Sequence, residues 1–308
     1  MVGLLRLPKA YSEDNDVDAI TTAQSLSQLG TLLNFYPLNE GEMETVYDYG
    51  EMENNGYFVG PKKPSWKQQF PGSQRNACVL EFPGREAAIE LEKKYSDEFD
   101  GPHTIFVWAY FYDSNSRDIL FGNYAPTTRK GLNMEKHNNN EMRYFRDWDP
   151  DWRGTSDVTL INEWNLLAYS RLDANTNPTV LAMENVVTGF YESYETNITD
   201  DPLTGHHYLG ADARRSTVDD YLTTLNGLLG PVVIFRTRLK DIDTGKVLEL
   251  TSPLLRSTGT PTPTKTSTCT PTASPAATPI QNPKHKRMEL PVQYPPRSVI
   301  VKKQKHKG

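Results

Sequence analysis

Apolar residues in the middle of this chain come in short runs broken by turn-forming clusters about every ten residues, the texture of a sandwich or barrel. The runs fall at 78–82, 87–91, 104–112, 118–124, 131–135, 141–146, 165–172, 179–183, 186–193, 208–210, 221–225 and 231–236. Few helical segments interrupt them, which argues against a parallel α/β sheet. One run stands apart. In Thr104-Ile-Phe-Val-Trp-Ala-Tyr-Phe-Tyr112, Ile105, Val107, Ala109 and Phe111 share one face, and Phe106, Trp108, Tyr110 and Tyr112 share the other. Such a strand is central in its sheet, with its second face either capped by loops or flooring a concave groove.

Residues 12–35 read as a helix. Glu13, Asp14 and Asp16 suit the positive end of a helix dipole, and Ile20, Leu26, Leu29, Leu32 and Leu33 recur at helical spacing. Such a helix packs on the main domain or docks a partner in an assembly. Residues 36–72, rich in Gly, Pro, Asn and Glu, show no sustained period and predict a lead-in that wraps the sandwich. Residues 257–283 form a Thr/Pro/Ser tract that cannot build a core, so an extended linker is expected there. The resulting divisions are a helix and lead-in at 1–56, a sandwich at 57–250, a linker at 251–283 and a basic tail at 284–308.

Composition narrows the function classes. Cys78 and Cys269 are the only cysteines and lie far apart, which excludes a disulfide scaffold and a Cys-rich zinc site. No stretch approaches the ~18 apolar residues of a membrane helix. The apolar run at 1–7 is too short for a secretory signal, so the chain is expected either to be exposed on a virion or by a non-classical route, or never to leave its cell. The net charge of −6 is unevenly placed: residues 284–308 carry eight Lys or Arg against one acid, leaving 25 basic and 38 acidic groups before them. Lys284, Lys286, Arg287, Lys302, Lys303, Lys305 and Lys307 are candidate contacts for a polyanion, with salt-dependent attraction. Between the basic clusters, Val299-Ile-Val301 can form a short strand on binding.

Three segments in order resemble the laminin-G-like, concanavalin A-like superfamily. The first is Ala77-Cys-Val-Leu-Glu-Phe-Pro-Gly84 with Thr104-Ile-Phe-Val-Trp-Ala-Tyr110 and Asp113-Ser-Asn115. The second is Glu163-Trp-Asn-Leu-Leu-Ala-Tyr-Ser-Arg171. The third is Tyr208-Leu-Gly-Ala-Asp212 followed by Leu225-Asn-Gly227 and Val232-Val-Ile-Phe-Arg-Thr-Arg-Leu239. The resemblance covers about residues 57 to 245 and implies an all-β, antiparallel concanavalin A-like sandwich (jelly roll), with an N-terminal helix and a disordered C-terminal tail outside it. Asn165-Leu166 and Gly230-Pro231 depart from the family pattern, the latter where relatives carry an acid.

Some members of that superfamily are glucanases, which set alternating carboxylates on one strand. This chain has no such array: Glu192 and Glu195 fall on opposite faces of a strand, so no catalytic residues are expected. The segment Asp147-Trp-Asp-Pro-Asp-Trp152 is the ligand-binding candidate, because Trp148 and Trp152 can stack on sugar faces while Asp147, Asp149 and Asp151 accept hydroxyl hydrogen bonds. Alternatively the two tryptophans pin a loop to the core. Asp118, Asp212, Asp219 and Asp220 are candidate oxygen ligands for calcium. The expected function is non-enzymatic recognition of a glycan or protein surface; the alternative is a structural component of an assembly such as a virion.

Overall fold

The doubly apolar run becomes strand β7 (His103–Phe111), nine residues buried at every position. A computed structural model of the chain describes residues 13–68, 70–73, 77–84, 86–95, 98–99, 101–123, 131–146, 154–155, 159–171, 179–196, 205–212, 224–239 and 241–256. β7 is central in an antiparallel sheet whose order is β14 (Phe190–Thr196), β13 (Thr179–Asn185), β12 (Trp164–Arg171), β7, β16 (Asn226–Phe235), β5 (Val79–Pro83) and β4 (Ser65–Lys67). Strand β1 (Leu32–Tyr36) joins the same sheet through β16. The second sheet runs β11 (Gly154–Thr155), β10 (Glu141–Arg146), β9 (Leu132–His137), β8 (Asp118–Gly122), β15 (Tyr208–Leu209), β6 (Ala88–Leu91), β3 (Gly56–Val59) and β2 (Thr45–Val46). The two antiparallel sheets form an all-β, jelly-roll-like sandwich, one of the two architectures that the run pattern allows.

Between the sheets lies the main core, including Ile105, Val107, Ala109 and Phe111 from one side and Ile89, Phe121, Met134 and Tyr144 from the other. The opposite face of β7 is no groove: two helices cover it, together with loop residues such as Phe70 and Leu239. Phe106, Trp108 and Tyr110 pack with Ala23 and Leu26 of α1 (Glu13–Leu26) and with Val247, Leu254 and Leu255 of α2 (Asp241–Arg256). The Trp108 indole N–H donates to Thr251 Oγ1 at 2.8 Å, and that hydroxyl donates to Val247 O at 2.7 Å. Burying the aromatic face thus leaves no orphaned indole donor. Helix α2 crosses the expected boundary at residue 250.

β16 tolerates Pro231 in a central strand because the register breaks between Leu229 and Val232. Before the break β16 pairs with β5, and after it with β1, while β7 runs along its other edge. Gly230 lies at this break, and a Cβ there would meet Leu255 Cδ2 at 2.8 Å and Trp108 Cβ at 3.0 Å. Its lack of a side chain lets α2 approach the sheet.

Two expectations about the N-terminal region are corrected. The helix stops at Leu26, and Leu32–Tyr36 form a strand with all five residues buried. Leucines three and four apart suit a helix, but a short apolar run is also compatible with a doubly covered strand. The stripe Ala19, Ala23 and Leu26 is buried in the protein's own core, so it is not the partner-docking face of the assembly reading. Residues 36–72 contribute β2, β3 and β4 to the sandwich rather than merely wrapping it. Asp48 organises this part: its carboxylate accepts from Asn34 Nδ2 at 2.6 Å and from the backbone N–H groups of Asn54 (2.7 Å), Phe35 (2.8 Å) and Gly50 (2.8 Å). Tyr95 donates to Asn34 Oδ1 at 2.7 Å and Tyr36 to Asn54 O at 2.6 Å, tying the network to the main core.

Candidate functional site

Each sheet has an inner face in the core, and the helices cover the outer face of the first. The outer face of the second sheet remains. Strand alternation decides which side chains it carries. Phe58, Ile89, Leu91, Leu209, Leu132, Met134, Met142 and Tyr144 point into the core, so Tyr57, Val59, Ala88, Glu90, Tyr208, Asn133, Glu135, Glu141 and Arg143 point outward. Register aligns Tyr57, Glu90, Tyr208, Gly122 and Asn133 in one transverse row. Four strand spacings make that row about 19 Å long.

The face has two chemically different halves. On the β3–β6–β15 side, Ala88, Tyr208 and Ala211 form a small apolar cluster with Val59 packed on it. Tyr57 beside them is 44% exposed. On the β8–β9–β10 side the groups are charged. Arg117 donates to Glu135 Oε2 through Nε at 2.7 Å, and Asn133 Nδ2 donates to the same oxygen at 3.2 Å. Arg143 donates through Nε to Glu141 Oε2 at 2.9 Å and lies 3.8 Å from Glu135 Oε1. Burial pushes the Glu135 carboxyl above its usual range, although Arg117 and Arg143 pull it down. His137, 3.7 Å from Glu141, has its pKa lowered to about 4, chiefly by desolvation and then by Arg143. It is therefore neutral at physiological pH.

The depressed His137 value carries a sign. Between its ordinary value of 6.5 and about 4 the unfolded chain binds the extra proton, so this contribution to stability is lost as pH falls through that window. Replacing His137 by Gln should flatten the thermal-unfolding profile between those pH values. A parent and variant with parallel profiles would contradict it.

Gly122 sits in the row beside Asn133 for a steric reason. A Cβ there would lie 2.5 Å from Asn133 Oδ1. That oxygen and Asn123 Nδ2 are buried with no hydrogen-bond partner in the protein. Orphaned buried polar atoms cost roughly 1–3 kcal/mol each, so the β8–β9 ladder retains unused hydrogen-bonding capacity beside the charged half.

The residues expected from the sequence fare differently. Asp147, Trp148, Asp149, Asp151 and Trp152 lie outside the described residues, although their segment joins β10 to β11 at the charged edge of this sheet. Asp219, Asp220 and the tail residues Lys284, Lys286, Arg287, Lys302, Lys303, Lys305 and Lys307 also lie outside them. Asp212 is buried next to the bridge between Ala211 and Thr224. Asp118 does not fit a calcium ligand. Its Oδ2 accepts from Lys136 Nζ at 2.7 Å and Ser116 Oγ at 2.6 Å, and its Oδ1 accepts from the Asn226 N–H at 2.8 Å. An ammonium already holds the position a cation would take. Among the described residues, no three His, Cys, Asp or Glu side chains gather as a metal set.

Sequence reasoning missed the outer-face row, yet its signal was present. Leu132-Asn-Met-Glu-Lys-His137 alternates apolar and polar up to Met134, which marks Asn133 and Glu135 as outward once the strand is recognised.

No protein-family model matches the chain, and no curated protein aligns with it significantly. Solved structures do resemble it. A Trypanosoma rangeli sialidase mutant displaying trans-sialidase activity superposes with a TM-score of 0.51 at 11% identity, covering 79% of this chain and 40% of that one. The likeness is one of fold alone. This chain thus spans well under half the length of that sialidase. Domain 4 of a GH43 extracellular arabinanase from Geobacillus stearothermophilus, in complex with arabinotriose, gives 0.47 at 14% identity, covering 72% of this chain and 98% of that domain. The CBM40 of Ruminococcus gnavus IT-sialidase bound to α2,3-sialyllactose gives 0.38 at 14% identity, with 46% and 80% covered. No helix among the described residues is long and apolar enough to cross a membrane.

Proposed function

We propose that the chain is a non-enzymatic carbohydrate-recognition module, a sandwich of the concanavalin A-like, laminin-G-like kind that binds through the outer face of its second sheet. The observation that carries this reading is the pairing of an apolar, aromatic half with a hydrogen-bonding half on a sheet face that no described helix covers, where Tyr57 reaches solvent while Tyr208, Asn133 and Glu135 lie buried beside it. A sugar ring has the same duality: aliphatic C–H faces that pack on aromatic rings, and hydroxyls that need donors and acceptors at fixed positions. Tyr57, protruding beside Val59 and Tyr208, supplies the stacking surface. Arg117, Arg143 and Glu141 supply hydrogen-bonding groups whose positions are set by mutual ion pairs rather than by the ligand. Such preorganisation lowers the entropy cost of binding. Trp148 and Trp152, between β10 and β11 in the sequence, are further candidates for stacking on a sugar.

Glycan-array binding by the whole chain is the test. Tyr57→Ala should weaken the best ligand about tenfold, equivalent to ~1.4 kcal/mol, while leaving thermal unfolding unchanged because the ring is exposed. The double substitution Trp148→Ala, Trp152→Ala should weaken it further. An empty array, or equal binding by parent and Tyr57→Ala, overturns the reading. Release of free sugar from a bound oligosaccharide would overturn its non-enzymatic part.

A further inference from the structure

The two sheets end in five edge strands, because β1 branches from β16; the outer edge of β1 already accepts from the Tyr49, Glu51 and Met52 N–H groups, and three of the other four are blunt. β4 has three residues, and β2 and β11 have two each. Short terminal strands protect sheets from pairing with other chains. The fourth end is β14, seven residues long, which pairs with β13 on one side and with no described strand on the other. Ser193 and Glu195 are exposed, and Phe190, Tyr191 and Glu192 are half-buried. The sequence Phe-Tyr-Glu-Ser-Tyr-Glu-Thr contains neither proline nor a basic residue, so its charge is −2.

We propose that the free edge of β14 receives the chain's own segment 297–303 as an added strand. That segment, Arg-Ser-Val-Ile-Val-Lys-Lys, is also seven residues long and combines three β-branched apolar residues with three basic ones. Backbone hydrogen bonds along the edge would supply affinity. Charge complementarity with Glu192 and Glu195 would select this segment over acidic or neutral alternatives. Its reach is adequate. Thr244 of α2 donates to Glu184 Oε1 of β13 at 3.4 Å, so the helix begins against β13, the strand that pairs with β14. Sixteen residues of helix carry the chain about 24 Å to Arg256. The 40 proline-rich residues between Arg256 and Arg297, at up to ~3.1 Å per residue, are long enough to return across that distance. A tether matched to the span gives a millimolar effective concentration, which favours a partner in the same molecule over one in a second copy.

Hydrogen–deuterium exchange on the complete chain at low salt tests this. The alternate β14 amides that face away from β13 should exchange at least tenfold more slowly in the parent than in Ile300→Pro. Proline removes a donor in the middle of the added strand and leaves the sandwich untouched, so thermal unfolding should not change. Glu192→Lys combined with Glu195→Lys should also abolish the protection, and raising the salt should reduce it in the parent. A synthetic peptide of residues 297–303 should restore protection to the Ile300→Pro chain. Equal exchange in parent and Ile300→Pro overturns the proposal. Protection that rises with protein concentration overturns its intramolecular form.

Discussion

Replacing Asp118 by Ala should destabilise the sandwich by about 3–5 kcal/mol, a large share of the ~5–15 kcal/mol typical of a domain. Asp118 and its partner Lys136 are both fully buried. Lys136 extends inward from β9, donates to Ser116 O at 2.8 Å as well as to Asp118, and lies 5.3 Å from the ring centroid of Phe111 in the opposite sheet. Asp118 reaches the Asn226 N–H of β16, so one ion pair ties β8 and β9 to both central strands of the first sheet. Burial raises the Asp118 carboxyl and Lys136 opposes that rise. Removing the carboxylate strands an ammonium without access to water, which is why one half costs more than the pair is worth. The double variant Asp118→Leu, Lys136→Met should therefore recover most of the loss. Chemical denaturation of the two single variants and the double decides it. Additive losses would mean that the pair does not act as a unit.

Asp48→Ala should unfold the N-terminal third of the sandwich or destabilise it by at least ~4 kcal/mol. The substitution leaves three buried backbone donors, from Phe35, Gly50 and Asn54, without an acceptor, at roughly 1–3 kcal/mol each before relaxation, and leaves Asn34 Nδ2 only the Tyr36 hydroxyl at 3.4 Å. Glycine is required next to them: a Cβ on Gly50 would lie 2.3 Å from Leu33 O. Gly50→Ala should therefore mimic Asp48→Ala in direction. Limited proteolysis should cut both variants within residues 36–56 under conditions that spare the parent. Resistance equal to the parent's would show that the network is dispensable.

The chain's own pattern determined the fold class, because alternation and turn spacing follow from which side chains water must be kept from. The centrality of β7 was legible for the same reason: a strand apolar on both faces needs two covers. What provides the second cover was not legible. Leu32 and Leu33 match a helical period, and Val247, Leu254 and Leu255 were read as sandwich edge and linker, so β1 and α2 were set wrongly. Only tertiary packing placed β1 against β16 and α2 across Trp108. The stretch up to Asn55 lacked any period because Asp48 holds it through side-chain bonds to backbone, a mechanism that leaves no repeat in the sequence. The role of Asp118 was also undecidable in one dimension. An acid in a strand is equally a metal ligand or an ion-pair partner until the fold brings Lys136 to 2.7 Å. The same holds for the candidate site. Tyr57, Tyr208 and Asn133 lie far apart in the chain, and only the register of β3, β6, β15, β8 and β9 aligns them on one sheet face, which no described helix covers.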